Sequence, residues 1–123
     1  MRLTVQNTRM AICHFPPSDP FPAWLQQASF FQMVRTAGEL SIVCPEDVVP
    51  PDTASNGGWR ILEVEGPLDF ALTGVLNRIT APLAAARISL FAISTYLTDY
   101  VLVKEEQLER TLHVLQQSGW FIV

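Results

Sequence analysis

The stretch WRILEVEGPLDFALTGVLNRITAPL, residues 59–83, changes rhythm in its middle, and that change decides the fold. From Trp59 to Glu65 the apolar side chains alternate. Leu62 and Val64 fall on one face and Trp59 and Ile61 on the other, as in a strand. Gly66-Pro67 ends the run. Leu72, Val75, Leu76, Ile79 and Leu83 then recur at the spacing of one helical face, which predicts an amphipathic helix. Pro82 lacks an N–H and crowds the turn before it, so a kink or a tightened last turn is expected.

Toward the C-terminus, Ile88 to Thr95 and Asp99 to Val103 are β-rich runs joined by a short connection, which predicts an antiparallel pair. Glu105 and Glu106 favour a helix start by complementing the helix dipole. Leu108, Leu112 and Leu115 form the expected buried stripe, Gly119 suits the position after the helix, and Trp120 to Val123 reads as a last strand. The order β-α-β-β-α-β is that of an α+β, ferredoxin-like unit with four antiparallel strands and two helices on one face. The other face of such a sheet stays uncovered unless something packs there.

Toward the N-terminus the pattern breaks at PPDTASNGG, residues 50–58, which has no periodicity and reads as a linker. Before it, Leu3 to Gln6 and Met10 to Phe15 look like a hairpin across Asn7-Thr8. Pro22 to Leu25 opens a short helix, and Phe30 to Arg35 and Ser41 to Cys44 are further strands. This half reads as a shortened β-α-β-β copy of the same unit, or else as an extension that adds strands to the second-half sheet. The division expected is 1–50, an abbreviated unit; 51–58, a linker; and 59–123, a complete unit.

The 123 residues are 49% hydrophobic and 16% charged, a balance at which small proteins often hide part of the apolar surface in an oligomer interface. The net charge is −4, with Lys104 the one lysine and the arginines scattered, so no basic run exists to neutralise phosphates and no nucleic-acid partner is expected. The opening MRLTVQNTRM does not have the pattern of a signal peptide. No segment reaches the ~18 apolar residues of a membrane span, so no membrane association is expected. Cys13 and Cys44 stand far apart in strand-like stretches and read as buried free thiols, with a disulfide or a metal site as the alternatives; without a secretion pattern the setting is read as cytoplasmic.

No catalytic constellation stands out. His14 follows Cys13 directly, and consecutive strand residues point to opposite faces, so they cannot pair. His113 falls mid-helix between apolar neighbours, and Glu46-Asp47 is a solvated loop couplet. Metal-ligand spacings such as CxxC or HxxxH are absent. An acylphosphatase-like hydrolase would need an arginine in its anion-cradling loop, and GPLDFALTG carries none. No enzymatic activity, cofactor or metal is therefore expected. The same segment, Gly66 to Gly74, leads into a helix N-terminus, whose free N–H groups suit a carboxylate; an ordinary strand–helix turn capped by Asp69 is the alternative. In ISTYLTDYVLV, Ser94, Thr95, Thr98 and Asp99 gather polar groups that can hold the two ends of an α-amino acid, or that merely serve a turn.

On these segments the chain resembles the ACT-domain proteins of the small bacterial tandem-ACT group, which is similar to aspartate kinase regulatory domains and to the animal cytosolic arginine sensors. The shared pattern is GGW at Gly57 to Trp59, EGPLDF at Glu65 to Phe70, Thr73-Gly74, APLA at Ala81 to Ala84, and ISTYLTDYVLVKEEQL at Ile93 to Leu108. TAGELSIVC at Thr36 to Cys44 extends it over nearly the whole chain. The resemblance implies two tandem ACT-like units, the first abbreviated, that bind an amino acid or similar small effector between units and act as a regulatory module. It assigns Asp69, Leu72 and Leu76 to the loop and helix side of the site, and Thr95, Tyr96, Thr98 and Asp99 to the strand-connection side. Ser89 and Leu90 match the facing strand of the paired unit. Leu72 stands where the arginine-binding relatives carry an acidic residue, which departs from an arginine site. The sensors carry four units in a chain and this one at most two, so a homodimer or higher homo-oligomer is expected, with a regulated protein as a further partner. The alternative function is an oligomerisation or interaction module without ligand.

Overall fold

The computed structural model describes residues 1–123. Its strands are β1 (Arg2–Phe15), β2 (Gln32–Arg35), β3 (Leu40–Pro45), β4 (Ser55–Val64), β5 (Phe91–Ser94), β6 (Asp99–Lys104) and β7 (Phe121–Ile122). Two α-helices, α1 (Val75–Ala85) and α2 (Leu108–Gln117), lie in the second half. The chain divides into two units, one made of Met1–Asn7 with Arg60–Val123, the other of Thr8–Trp59.

In the helix-bearing unit the strands run in the order β7-β1-β4-β6-β5. Four antiparallel strands were expected; the structure adds the N-terminal end of β1 between β4 and β7. The Glu65 N–H donates to the Arg2 carbonyl at 2.9 Å, and the two side chains form an ion pair at 2.8 Å. On its other edge β1 meets β7 in parallel, Arg2 opposite Phe121 and Leu3 opposite Ile122. Leu3, Leu62, Val64, Val101 and Val103 then present one apolar face. Val75, Ile79 and Leu83 of α1, Leu115 of α2, and Trp120 close over it. Met1–Asn7, expected with the first half, thus belongs to this unit because Leu3 completes its core.

Helix α1 starts at Val75, so Leu72 precedes it and is 54% exposed. Pro82 is accommodated inside the helix, and the turn tightens after it: the Arg87 N–H reaches the Ala84 carbonyl, three residues back, at 3.0 Å. Helix α2 is entered through a single 3-10 turn over Glu105–Gln107. Leu108 and Leu112 are half-buried, whereas Leu115 and the unforeseen Thr111 are fully buried. Gly119, at φ +99°, reverses the chain after α2 as expected.

In the other unit the order is β2-β3-β1-β4. The expected hairpin across Asn7-Thr8 does not form; β1 runs unbroken from Arg2 to Phe15. A two-residue type I′ turn needs positive φ at both residues, and Arg87 is the sole non-glycine residue with positive φ. Met10 to Phe15 instead pair with Pro45 to Leu40 of β3. The expected helix at Pro22 is one 3-10 turn over Ala23–Leu25. Residues 55–58, read as linker, begin β4; the Gly58 N–H there donates to Glu46 Oε2 at 2.6 Å. Ala11, Cys13, Leu25, Leu40, Ile42 and Cys44 form this unit's core. Cys13 stands opposite Ile42 and Cys44 opposite Ala11, so the two thiols are diagonal neighbours on one face. They are free and buried. The Cys13 sulfur as hydrogen-bond partner, with burial added, pushes the Cys44 thiol up.

Candidate functional site

Two loops of the helix-bearing unit are tied together at their bases. The first, residues 65–74, leaves β4 for α1; the second, residues 95–98, joins β5 to β6. The Leu68 N–H donates to the Leu97 carbonyl at 2.7 Å, and the buried Thr98 hydroxyl donates to the Val64 carbonyl at 2.6 Å. Gly66 lies so close to the second loop that an added Cβ would sit 3.1 Å from both Leu97 O and Thr98 Cβ. The Gly66-Pro67 peptide is cis. Loop approach at this distance requires glycine.

Each loop is also shaped from within. Asp69 Oδ1 accepts the Ala71 N–H at 2.7 Å and the Asp69 carbonyl accepts the Leu72 N–H at 3.0 Å, closing a turn. Asp69 therefore stabilises the loop and does not cap α1. The N-cap is Gly74, at φ +77°, with no side-chain cap. The first amides of α1 have no intrahelical partner, and they face outward from an uncapped end. In the second loop, Ser94 and Asp99 are register partners, and the Ser94 hydroxyl donates to Asp99 Oδ1 at 2.6 Å. The Thr95 hydroxyl donates to the Thr98 carbonyl at 3.1 Å and accepts the Thr98 N–H at 3.3 Å.

Between these loops and the start of α1 lies a cavity of about 320 Å³. It brings together Asp69, Leu72 and Leu76 from one side with Thr95, Tyr96, Thr98 and Asp99 from the other. Ser89 and Leu90 do not line it. They precede β5, the last strand in the order, and Leu90 packs against the unit's own core. Residues passed over by the sequence reading, Phe70 and Leu97 among them, also line the cavity. Phe70 and Tyr96 meet edge to face at 5.0 Å on its rim while remaining 74% and 77% exposed. Nothing in a local apolar period marks such a pair, because its two rings come from different loops. Asp69 and Asp99 are the carboxylates of the lining, and no lysine, arginine or histidine joins them.

Elsewhere Cys13 is buried and His14 exposed, on opposite sides of β1, and His113 is exposed on α2. Glu46, from the couplet read as solvated, is exposed but holds the Gly58 amide. No three His, Cys, Asp or Glu side chains converge. No helix is long and apolar enough to cross a membrane.

Residues 54–117 match the family model described as an ACT domain, and residues 8–52 match a model for an N-terminal domain. The chain is similar to the human cytosolic arginine sensor for mTORC1 subunit 1, with 36% identity over 81% of this chain and 32% of that protein. It thus spans about a third of the length of the cytosolic arginine sensors it matches. A crystal structure of a protein from Agobacterium tumefaciens is similar over 99% of this chain and 91% of its own, with a TM-score of 0.93 and 33% identity. The ligand-free regulatory subunit of aspartate kinase from Thermus thermophilus shares the fold, with a TM-score of 0.64 and 10% identity, covering 94% of each chain.

Proposed function

The chain belongs to the ACT-domain family, and on that premise we propose that it is a non-catalytic regulatory module that binds an amino acid in the cavity beside Asp99. The observation that carries this reading is the meeting of an uncapped helix N-terminus and a carboxylate in one cavity. The first amides of α1 suit the α-carboxylate, and Asp99 suits the α-ammonium. Asp69, Leu72, Leu76, Thr95, Tyr96 and Thr98 complete the site. A second copy, presenting Ser89 and Leu90 beside its edge strand β5, closes the open side and makes a homodimer or higher homo-oligomer. Similarity to a protein named as an arginine sensor supports the amino-acid class of ligand.

Regulation follows if the amino acid binds one arrangement of the subunits better than another, since equal affinity for both shifts nothing. A regulated protein then reads that arrangement, in the cytoplasm. The organisation we propose is two tandem ACT-like units, the first abbreviated, with no catalytic group in either. Thermal denaturation against a panel of amino acids tests the reading. A ligand at a hundred times its Kd stabilises by about 2.7 kcal/mol, a readily measured rise in Tm. Absence of any shift at millimolar concentrations sinks it. The exposed Phe70 and Tyr96 then favour the second reading, an interaction module without ligand, for which self-association is independent of added amino acid.

A further inference from the structure

We infer that the amino acid taken by this cavity carries an uncharged aliphatic side chain, an inference that rests on the amino-acid reading of the same site. The lining of the cavity carries five aliphatic side chains, Leu68, Leu72, Val75, Leu76 and Leu97. A charged side chain seated among these groups loses its hydration without compensation, whereas an aliphatic one gains by leaving water.

The carboxylates sharpen the choice. A side-chain carboxylate would enter a cavity that already holds Asp69 and Asp99 and offers no cationic side chain, so acidic amino acids are repelled. A guanidinium needs a carboxylate beyond the one that meets the α-ammonium, and it pairs best with both oxygens of that group. Here Asp69 Oδ1 is already held by the Ala71 N–H at 2.7 Å, and Asp99 Oδ1 by the Ser94 hydroxyl at 2.6 Å. A two-oxygen fork on either carboxylate competes with a bond that shapes its loop. The hydroxyls of Thr95 and Thr98 are likewise spent on backbone carbonyls, so they offer no donor that would select a polar side chain.

Isothermal titration of the full chain with L-leucine, L-isoleucine, L-alanine, L-arginine and L-aspartate tests this. Leucine or isoleucine is expected to bind at least about tenfold more tightly than alanine, the discrimination that added methylenes supply in an apolar pocket, and more tightly than arginine or aspartate. Leu72→Asp places a carboxylate in the apolar wall at a position 54% exposed, where it does not threaten the fold. It is expected to weaken leucine about tenfold or more; an unchanged leucine affinity overturns the inference. Arginine or aspartate as the tightest ligand also overturns it and leaves the amino-acid reading standing. If none of the five binds, the amino-acid reading itself fails and the inference falls with it.

Discussion

The indole N–H of Trp120 donates to the carbonyl of Arg78 at 3.1 Å. That carbonyl is the one Pro82 leaves without an intrahelical partner, four residues on. The Arg78 guanidinium also lies over the indole, 5.4 Å from the ring centroid. A proline inside a short helix is thus accommodated by a side chain from the far end of the unit.

Trp120→Phe keeps a ring in place and removes the donor. The expected cost is about 0.5–1.5 kcal/mol, the net worth of a part-buried hydrogen bond. Pro82→Ala restores the backbone N–H to Arg78, so the same Trp120→Phe change costs less in that background. Urea denaturation of the four proteins forms the cycle, and equal costs in both backgrounds would show that the indole bond is not the reason.

Gly66→Ala is expected to loosen the two cavity loops. Its Cβ would press on Leu97 O, which the Leu68 N–H holds, and on Thr98 Cβ. Backbone atoms cannot swing aside, so about 1–3 kcal/mol of stability is lost, together with affinity for any amino acid that binds. A variant with wild-type Tm and affinity would contradict the geometry.

Thr98→Val is nearly isosteric but deletes the hydroxyl that satisfies the Val64 carbonyl. A loss of about 1–3 kcal/mol is expected. Thr111→Val is the opposite case, because the Thr111 hydroxyl is buried and has no partner. That change is expected to be neutral or to stabilise by about 1 kcal/mol. Thermal melts of both variants, run side by side, check the contrast in sign.

Cys13 and Cys44 are expected to resist a thiol reagent in the native protein and to react together in denaturant. Both are buried, and the partner sulfur with burial holds Cys44 as the thiol over the pH range in which free cysteine becomes reactive. Fast reaction of either thiol in buffer would mean that this core opens far more readily than its burial implies.

Much of this was legible without coordinates. The change of period after Gly66 gave the β4–α1 succession, and the run from Ile93 to Val103 gave the β5–β6 hairpin with its polar turn. The motifs pointed to Asp69 and Asp99, which the structure does place on one cavity. Local period and turn chemistry are properties of neighbours in the chain, so a sequence carries them in full.

The pairing of distant segments was not legible. Leu3 looks like any strand residue, yet it lies between β4 and β7, and no spacing within residues 1–10 records that. Asn7-Thr8 resembles a turn, but β1 runs through it unbroken as a strand between β3 and β4. Trp120 and the Arg78 carbonyl, Cys13 and Cys44, and Phe70 and Tyr96 each meet only once the chain has folded. Sequence by itself determined the succession of elements from β4 to β7 and which residues carry polar groups. Tertiary structure alone decided that the Thr98 hydroxyl is taken by the Val64 carbonyl and the Trp120 indole by the Arg78 carbonyl, because hydrogen-bond partners across tens of residues are fixed by packing and not by local preference.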